Sequence, residues 1–585
     1  MSSLKELRKA TSLTQIASLL GVKAGMLSFQ LYKKPKEGLY KKFEIPKRHG
    51  GMREILAPEK DLKLLQHRLS DLLQDCLNEI NVANGHPEDK THQGVSHGFK
   101  RHHTIMTNGR AHVTRRHVFN VDLHDFFGSI NFGRVRGFFI KNKNFKLHPA
   151  VATVIAQIAC YDNKLPQGSP CSPVISNLIG HSLDILLAQL AAGTGATYTR
   201  YADDLTFSTN KRDFPSSIAI KTKEHDWEPG RSLTRIVTRS LFSFNHDKTR
   251  MQYLDSRQEV TGLTVNKKVN VPATYRYMVR AMAHSLFRTG GFEFIYKKKD
   301  EKGELVITRS GGERTQLLGM LSYIDHVDQF NRKLREENGL EPFETDGRIL
   351  LFRRFLYFDT FYAPDVPVIV CEGKTDNIYL KCAIKSLSAS YPKLVVYGKA
   401  PKLKVRFFKY SDRRTSEVTQ LTGGVGGICH LLKNYYEDVR TTFRAPMPKQ
   451  PVIVLIDNDK GANTVYGAIA GITKKKKPTG KAPFIHVTSN LYVVPTPERG
   501  KGQSCIEDFF DKATLTTTLN GKLFNGEKNA DESIYYGKAA FALNVVAKDA
   551  GKIDFKEFHP ILERIVSVID DYEAKRVAAE KKVGP

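Results

Sequence analysis

Apolar and polar positions near the N-terminus follow first a helical and then a strand periodicity. Residues 4–34 show the helical pattern with a break at Gly21, which predicts a helical N-terminal extension over residues 1–45. A helix-turn-helix and a small helical cap packed on the next domain both fit this pattern. Residues 43–80 predict two strands around the turn RHGGMR and then a helix over DLKLLQHRLSDLLQDCL.

Strand and helix patterns continue to alternate over residues 113–270. Three short apolar runs, at residues 118–121, 196–202 and 205–208, are predicted strands. The last two flank a pair of adjacent acidic residues. The pattern therefore places two like charges at the tip of a hairpin.

The composition and periodicity of the sequence change at about residue 275 and again at Val366. From about residue 275 to residue 345 the pattern predicts helices rich in Lys and Arg. At Val366 short apolar strands begin, separated by glycines and helices, which indicates a second αβ unit. After about residue 512 the pattern is mainly helical. The 585 residues therefore predict several domains, of mixed α/β and α+β class.

Charge and cysteine content narrow the class of partner and compartment. The formal net charge of +29 favours polyanionic partners through counterion release and long-range steering. Seven cysteines without a CxxC pair argue against a disulfide framework and against a cysteine zinc site. No signal peptide is apparent, and the apolar segment 150–160 is too short to span a bilayer. We therefore expect a cytoplasmic protein with no membrane partner.

Three aspartates are candidates for a metal site. Asp122 follows the predicted strand at 118–121, and Asp203 and Asp204 lie at the hairpin tip. If these strands are neighbours in one sheet, the three carboxylates converge at its edge and repel one another unless cations bind. Two Mg²⁺ ions about 3.5–4 Å apart would neutralise them and supply in-line phosphoryl-transfer chemistry. The alternative is that the adjacent aspartates form an ordinary exposed turn.

The order of the motifs around these aspartates resembles the palm of reverse transcriptases, and among them the bacterial retron type. The motifs are NVDLHDFF, LPQGSPCSPVISN, YADDLTFS, NHDKTR and VTGLTVN, and the resemblance covers roughly residues 20–345. VTGLTVN and the upstream NGRAH resemble two retron hallmarks, although Gly109 stands where the second usually has alanine. The resemblance implies a right-hand polymerase with fingers and palm over residues 46–274 and a basic helical thumb and linker over residues 275–360.

The resemblance also implies roles for individual residues. The three aspartates would be catalytic and would hold two Mg²⁺ ions. Phe127 would lie beneath the incoming sugar and exclude a 2′-hydroxyl, with core packing as its alternative role. Gln167 and Gly168 would lie beside the nucleotide. Arg53 and Lys248 would contact phosphates, and each could instead be a surface charge.

The function that the resemblance implies is RNA-directed DNA synthesis. Such enzymes copy a structured non-coding RNA and prime from an internal guanosine 2′-hydroxyl, which gives a branched RNA-linked single-stranded DNA (msDNA). The implied partners are therefore the cognate RNA, its RNA–DNA product and dNTPs, in a bacterial cytoplasm. A homo-oligomer is compatible with the sequence.

A second set of acids follows two apolar strands in the C-terminal half. VPVIV precedes Glu372 and Asp376, and QPVIVLI precedes Asp457 and Asp459. The i, i+2 spacing of the last pair points both carboxylates to one side of an extended chain. Because parallel strands place ligands at their carboxyl ends, these acids are candidates for a divalent-metal site. A solvated loop is the alternative for the DxD pair.

Two acids in CIEDFFD, Glu507 and Asp508, are further candidates for this site. Acids at the start of a helix can instead simply complement the helix macrodipole. The glycine-rich residues 422–430 could cradle a phosphate or form a turn before a helix.

The combination of strand, EGxxD and DxD resembles the TOPRIM fold of topoisomerases, primases and overcoming-lysogenisation-defect-type nucleases. It implies a TOPRIM αβ domain over residues 361–515, followed by a C-terminal helical extension over residues 516–585. Glu372 would act as general acid/base. The ligands of one or two Mg²⁺ ions would be Glu372, Asp376, Asp457 and Asp459.

Among the TOPRIM chemistries, a metal-dependent nuclease is preferred. A topoisomerase would need a tyrosine-bearing cleavage domain, and a primase commonly carries a cysteine zinc module. A retron polymerase fused to such a nuclease would act on a nucleic-acid target in antiphage defence by abortive infection. A group II intron-like reverse transcriptase with a DNA-processing TOPRIM domain is one alternative, which the VTG motif disfavours. A non-catalytic RNA-binding scaffold is another, which the intact aspartate set disfavours.

Overall fold

The chain divides into two compact units. The computed structural model describes residues 2–46, 51–85, 94–223, 226–299, 305–341, 347–410, 413–500, 502–527 and 530–582. The first unit comprises Met1–Ala273 and Val327–Gly339, and the second comprises Thr274–His326 and Leu340–Pro585. The first division along the chain therefore falls between Ala273 and Thr274.

Three short helices begin the first unit: α1 (Ser3–Lys9), α2 (Leu13–Leu19) and α3 (Ala24–Ser28). Gly21 has a φ of +61°, which glycine tolerates, and it follows α2 where the sequence predicts a break. The helices bury Leu7, Ile16 and Leu27 in a core shared with the leucines of α4 (Lys60–Ala83). This packing favours the helical cap over a helix-turn-helix.

A strand hairpin precedes α4, as the sequence predicts. β1 (Tyr40–Pro46) pairs antiparallel with β2 (Met52–Pro58), and residues 47–50 of the connecting turn lie outside the described residues. The Gln66 amide of α4 donates to the Tyr40 hydroxyl at 2.6 Å and to the Ile158 carbonyl at 2.9 Å. These bonds fix the hairpin to the helical core of the first unit.

A four-stranded sheet forms the centre of the first unit. The elements that follow α4 are α5 (Ile105–Arg110), β3 (His117–Leu123), α6 (Phe132–Lys141), α7 (Pro149–Ala159), α8 (Ser172–Thr194), β4 (Thr197–Tyr201), β5 (Asp204–Thr209), β6 (Ala219–Lys221), β7 (Trp227–Pro229), α9 (Arg231–Arg239), β8 (Phe244–Tyr253), β9 (Glu259–Val260) and β10 (Leu263–Thr264). The sheet is antiparallel in the order β4-β5-β3-β8. The three predicted strands are confirmed as β3, β4 and β5.

The long apolar helix α8 has the length and composition of a membrane span. More than half of its apolar window is buried, and Ile175, Leu183 and Leu187 lie in the core of the first unit. A core helix meets the same criterion of length and hydropathy. The burial of α8 therefore accounts for its apolar sequence.

The second unit begins with α10 (Ala273–Thr289), β11 (Glu293–Lys299), β12 (Leu305–Gly311), α11 (Arg314–Glu337), which belongs in part to each unit, and α12 (Gly347–Tyr357). The sequence predicts helices throughout residues 275–345, and here the structure differs. β11 and β12 pair antiparallel, with Phe294 opposite Ser310 and Tyr296 opposite Thr308. Their β-branched and aromatic residues favour strands, although the lysine-rich composition suggests helix.

A five-stranded sheet forms the centre of the second unit. Its elements are β13 (Val368–Cys371), α13 (Asp376–Ser386), β14 (Val395–Val396), β15 (Lys402–Leu403), β16 (Arg406–Phe407), α14 (Arg413–Thr419), α15 (Gly424–Thr441), β17 (Val452–Ile456), α16 (Ala462–Thr473), β18 (Ile485–Thr488) and β19 (Leu491–Pro495). The order is β16-β13-β17-β19-β18, and all neighbours are parallel except β18. β13, β17 and β19 are buried along their whole length, which explains their unbroken apolar sequences.

The chain ends with α17 (Lys512–Leu515), β20 (Leu523–Phe524), β21 (Tyr535–Tyr536), α18 (Lys538–Ala540) and α19 (His559–Lys582). The predicted helical extension over residues 516–585 therefore differs in its first part. Asn520 and Gly521 both have a positive φ, which suits a turn and interrupts a helix. The segment before α18 is mostly irregular for this reason.

Contacts within the second unit cross residues 360 and 515, where the sequence predicts domain boundaries. Phe287 of α10 packs on Phe443, with ring centroids 5.4 Å apart. Arg354 Nε of α12 donates to Asp438 Oδ1 of α15 at 2.8 Å. Residues of α19 share a core with β13 and β17. These long-range contacts join the predicted thumb, TOPRIM domain and C-terminal extension into one compact unit.

Candidate active sites

The first acidic site consists of Asp122, Asp203 and Asp204. Asp122 of β3 stands directly opposite Asp204 of β5 in the sheet register. Asp203 lies in the tight turn between β4 and β5, and its carbonyl accepts from the Leu123 amide at 2.9 Å. The three acids therefore meet at one edge of the sheet, as the sequence predicts. Asp122 is buried, Asp203 is half-buried and Asp204 is exposed, so the turn lies at the surface next to a buried carboxylate.

Burial and like charge raise the proton affinity of this site. Burial raises the pKa of Asp204 to about 7, and the charges of Asp203 and Asp122 add to the rise. Burial and the charge of Asp122 also raise the pKa of Asp203. Lys248 Nζ donates to Asp122 Oδ2 at 2.8 Å, and its charge offsets part of the repulsion. A site with an excess of partly desolvated carboxylates gains free energy from binding a cation.

The donor set of this site fits Mg²⁺, which prefers carboxylate oxygens. Within the described ranges, no three His, Cys, Asp or Glu side chains are already arranged as a closed metal site. One oxygen of Asp122 is engaged by Lys248. A bound cation would therefore have to draw the carboxylates together in place of that ion pair.

The residues predicted to bind the nucleotide differ in their contacts. Arg53 of β2 is exposed, and its charge acts on Asp203. Lys248 contacts Asp122 directly. Gly168 has a φ of +116°, and a Cβ there would lie 2.6 Å from the Leu56 carbonyl oxygen. The glycine thus permits the close approach of the LPQG loop to β2, where the Gln167 carbonyl accepts from the Leu56 amide at 2.8 Å.

Phe127 is half-buried at the edge of the core. Its ring centroid lies 5.5 Å from that of Phe126 and 6.0 Å from that of Phe99. Phe99 is 40% exposed and was not among the residues singled out from the sequence. Its positive φ of 59° marks a special position that only the structure reveals. The two rings together form an aromatic edge of the first unit.

The NGRAH segment ends at His112, which contacts both strands of the hairpin that carries the acids. His112 is fully buried, with Nδ1 2.7 Å from Ser208 Oγ of β5 and Nε2 2.7 Å from Thr199 Oγ1 of β4. Burial lowers the pKa of His112 to about 3, and the charges of His97 and Arg115 add to the effect. His112 is therefore neutral, and its two ring nitrogens connect β4 and β5 by hydrogen bonds.

The buried histidine predicts a loss of stability at acid pH. Its folded pKa of about 3 lies below the unfolded value of about 6.5, so its contribution is complete above pH 6.5 and falls as pH drops towards 3. The loss should approach about 1.4 kcal/mol per pH unit. Trp227, the single tryptophan, lies in the first unit and reports its unfolding by fluorescence. Urea titrations at pH 5 and 7.5 should show a smaller pH effect for His112→Gln than for the wild type. An equal pH effect in both would contradict this assignment.

The second acidic site consists of Glu372, Asp376, Asp457 and Glu507. Glu372 follows β13 and Asp457 follows β17, which are parallel neighbours. The Asp457 amide donates to Glu372 Oε2 at 3.4 Å. Burial raises the pKa of Asp457 to about 8, and the charges of Asp376, Glu507 and Glu372 add to the rise. The four carboxylates therefore converge at the carboxyl ends of two strands.

Asp376 and Glu507 are the two buried carboxylates of the second acidic site, and each lies in a helical turn. Asp376 Oδ2 accepts from the Gly373 amide at 2.7 Å, and burial raises the pKa of this carboxyl. Glu507 is 5% exposed, and its Oε1 lies 2.9 Å from Lys538 Nζ. Its Oε2 is buried without a hydrogen-bond partner in the part of the chain that the structure describes. A buried carboxylate oxygen without a hydrogen-bond partner can serve as a ligand for a cation.

Two of the predicted acids have other roles in the structure. Asp508 Oδ2 accepts from the Cys505 amide at 2.8 Å and caps its own helical turn, so the macrodipole alternative applies to it and not to Glu507. Asp459 Oδ1 accepts from the Gly461 amide at 2.7 Å and thus caps the start of α16. Its charge still acts on Glu372 and helps to raise the pKa of that carboxyl, which burial raises first.

Lys538 is a residue of this site that the sequence analysis missed. It begins α18, and its ammonium is the cation that faces Glu507 and Asp457. Burial opposes the charged form, and the carboxylates outweigh it, so that the pKa of Lys538 is raised. A single lysine after an irregular segment carries no motif. Only the fold brings it to the two strand ends.

The glycine-rich residues 422–430 form a turn before a helix. Gly423 and Gly424 have φ values of +90° and +74°, and α15 begins at Gly424. The Gly424 amide donates to the Glu372 carbonyl at 2.9 Å. The turn alternative is therefore confirmed, and it places the start of α15 beside the second acidic site.

Comparison with known proteins identifies relatives of the first unit. The family model described as "Reverse transcriptase (RNA-dependent DNA polymerase)" matches residues 45–266, which include the first acidic site. Retron Mx65 reverse transcriptase of Myxococcus xanthus is 34% identical over 298 residues, which are 48% of this chain and 64% of that protein. Retron Ec86 reverse transcriptase of Escherichia coli is 30% identical over 288 residues, which are 49% of this chain and 79% of that protein.

Other similarities are more partial. Retron Mx162 reverse transcriptase of Myxococcus xanthus is 32% identical over 317 residues, which are 49% of this chain and 58% of that protein. The chain thus spans less than two thirds of the Mx65 and Mx162 proteins. A structure of telomerase from Candida albicans aligns with 69% of this chain and 62% of its own at 10% identity, with a TM-score of 0.30, too low to carry an argument. On the strength of the retron relatives and the matched family model, the chain belongs to the retron reverse transcriptase family.

Proposed function

We propose that the chain is an RNA-directed DNA polymerase of the retron type. The observation that carries the proposal is the register of Asp122 against Asp204, with Asp203 in the adjoining turn, inside the residues that match the reverse transcriptase family. These three carboxylates would hold two Mg²⁺ ions, which supply activation of the primer hydroxyl and neutralisation of the triphosphate when bound. The partners are a structured non-coding RNA, dNTPs and the branched RNA-linked DNA product.

Residues around the site position the nucleotide in this proposal. Lys248 and Arg53 provide positive charge next to the aspartates and bind the phosphates. The half-buried ring of Phe127 excludes a 2′-hydroxyl and so selects deoxynucleotides. Gly168 lets the LPQG loop lie against β2, and we expect Gln167 of this loop to contact the nucleotide. The chain's own contribution is therefore orientation and charge, which dominate phosphoryl transfer.

A direct assay tests the polymerase proposal. Purified full-length protein is incubated with a primed RNA template, dNTPs and Mg²⁺, and extension is followed on a gel. We expect RNA-templated extension that stops with EDTA and that rNTPs do not support. Absence of extension on every RNA template, including RNA from the cognate locus, would refute the proposal.

The surface of α9 supports a nucleic-acid partner. Arg231, Arg235 and Arg239 are exposed and recur every four residues, so that they lie about 6 Å apart along one helix face. They line a shallow depression of about 420 Å³ together with Thr234 and Thr238. No carboxylate of the described residues forms an ion pair with these arginines. Unpaired arginines in such a row suit a phosphate backbone.

The α9 arginines predict a change in the salt dependence of RNA binding. The plot of log K against log salt has a negative slope. Replacing Arg231, Arg235 and Arg239 by glutamine should reduce the magnitude of this slope by about 2–3, because up to three phosphate contacts are lost. Binding of the cognate RNA is measured in EDTA, so that no synthesis intervenes.

A matched control has the same change in net charge. Arg413 and Lys552 are exposed and Arg576 is half-buried, and all three are already ion-paired, with Glu417, Asp549 and Glu580 respectively. Their triple glutamine variant should keep the wild-type slope. Equal slopes for both triple variants would remove α9 from the RNA-binding surface.

A second function is proposed for the second acidic site. Four carboxylates at the ends of two parallel strands, with Lys538 facing them, support a metal-dependent nuclease of the TOPRIM type. Their oxygens, together with those of the nearby Asp459, fit one or two Mg²⁺ ions. Glu372 would act as general acid/base, and the candidate ligands are Glu372, Asp376, Asp457, Asp459 and Glu507. The Lys538 ammonium would balance charge at the site.

The biological role follows from joining the two activities. In this proposal the RNA-linked DNA held by the protein restrains the nuclease until infection disturbs the complex. The nuclease then acts on a nucleic-acid target in the bacterial cytoplasm, as antiphage defence by abortive infection. The alternatives remain a group II intron-like enzyme with a DNA-processing domain, or an RNA-binding scaffold without catalysis.

A further inference from the structure

A buried arginine lies three residues before Asp203. Arg200 of β4 has no exposed surface. Its Nε donates to Asp184 Oδ1 of α8 at 2.7 Å, and its Nη2 donates to Asp184 Oδ2 at 2.7 Å, so the pair is bidentate. The Tyr198 hydroxyl donates to the same Asp184 Oδ1 at 2.9 Å. The carboxylate therefore accepts three hydrogen bonds and holds the guanidinium in one orientation.

The remaining donors of Arg200 reach two other segments. Its Nη1 donates to the Ala202 carbonyl at 3.0 Å, and its Nη2 also donates to Ser96 Oγ at 3.2 Å. The backbone is tied as well, because the Arg200 amide donates to Val95 and its carbonyl accepts from His97, at 2.7 and 2.8 Å. One side chain thus connects α8, residues 95–97 and the turn that carries Asp203.

The turn itself has a backbone conformation that needs support. Ala202 has a φ of +57°, which is unfavourable for a residue with a side chain. The neighbouring backbone is closely packed, since a Cβ at Gly98 would lie only 2.4 Å from the Ala202 nitrogen. A Cβ at Gly180 would lie 3.1 Å from Arg200 Nη2. The backbone of Ala202 is therefore closely packed against Gly98, and the guanidinium of Arg200 is closely packed against Gly180.

Stability alone does not explain a buried ion pair at this place. Removing two charges from water costs several kcal/mol per ion, and an apolar pair of similar volume is often as stable. What an apolar pair cannot supply is the donor to the Ala202 carbonyl. That bond holds the residue directly before the two adjacent aspartates.

We propose that Arg200, oriented by Asp184, is a positioning residue that fixes the left-handed turn at Ala202 and so sets the placement of Asp203 and Asp204 for DNA synthesis. The inference rests on the proposed polymerase function. A displacement of about 1 Å at reacting groups can cost on the order of 10²-fold in rate. Loss of the Ala202 bond should therefore lower kcat and leave the KM for dNTPs nearly unchanged, because the nucleotide is bound by other residues.

The test replaces the ion pair by an apolar pair. Arg200→Met with Asp184→Leu leaves no buried charge unpaired, and we expect a folded protein, checked by Trp227 fluorescence and thermal unfolding. Its kcat should fall on the order of 10²-fold, with KM for dNTPs within about 3-fold of the wild type. Tyr198→Phe removes one bond to Asp184 and keeps the bond to Ala202, so its kcat should stay at the wild-type level.

A second variant covers the case in which the double variant does not fold. Arg200→Lys keeps a cation beside Asp184 and lacks the second arm that reaches Ala202. We expect it to lower kcat as well, again without a change in KM. Full kcat in a folded protein of either kind would overturn the inference while leaving the polymerase proposal standing. A wild-type protein that makes no DNA would overturn both.

Discussion

Replacing Asp203 by asparagine is expected to reduce RNA-templated DNA synthesis on the order of 10³-fold or more. The physical reason is that Asp203 lies in the turn directly before Asp204, and the charge of Asp122 acts on it, so it supplies one of the three carboxylates assigned to the site. Asparagine keeps the size and the hydrogen-bonding shape of the side chain and removes its charge. The measurement is the rate of single-nucleotide incorporation on a primed RNA template at saturating Mg²⁺ and dNTP.

The same substitution should not destabilise the first unit. Asp203 is half-buried beside Asp122 and Asp204, so removing its charge relieves repulsion. We therefore expect unfolding of the Asp203→Asn variant, followed by Trp227 fluorescence, at the wild-type urea concentration or above it. Asp162→Asn is the matched control, because Asp162 is exposed in a turn with a positive φ that asparagine tolerates. Wild-type synthesis by the Asp203 variant would sink the assignment of the site.

Replacing Glu372 by glutamine is expected to abolish nucleic-acid cleavage, and with it cell killing, while DNA synthesis stays at the wild-type rate. Glu372 lies in the second unit at the end of β13, and its carboxylate meets the amide of Asp457. Burial and the charges of Asp459 and Asp376 raise the pKa of Glu372, which suits a group that exchanges protons. Removing a general acid/base typically costs about 10²–10⁴-fold in rate.

Two measurements separate the activities in the Glu372→Gln variant. Cleavage is followed on single- and double-stranded DNA and RNA with Mg²⁺, and synthesis is followed by primer extension of the same preparation. Glu417→Gln is the control, because Glu417 is a surface residue of α14 that pairs with Arg413. If cleavage and killing persisted in the Glu372 variant, the effector would have to lie elsewhere in the chain.

The strands and acids of the first site could be predicted because their signals are local. β3 is a central strand buried along almost its whole length, and its mainly apolar residues 118–121 predict it directly. The adjacent acids interrupt two strands that are close in the chain, so a hairpin follows directly. The carboxyl ends of β13 and β17 were predicted for the same reason, since each acid comes directly after an apolar run.

Other features depend on contacts that no local pattern encodes. The hairpin of β11 and β12 contains several lysines, which suggested helix, yet its alternating aromatic and β-branched residues pair as strands. Asp184 and Arg200 meet because α8 packs on β4, and no local pattern in the sequence marks either residue. Lys538 reaches Glu507 only when the C-terminal segment packs on the second sheet.

The most direct test of the central claim is the nucleic acid that the protein carries. The full chain is expressed with its native locus and purified, and the bound nucleic acid is extracted and sequenced with and without ribonuclease. We expect a single-stranded DNA joined to a structured RNA through an internal guanosine 2′-hydroxyl, absent from the Asp203→Asn protein. Recovery of RNA alone from the active wild-type protein, or of DNA without a covalent link to RNA, would contradict this expectation.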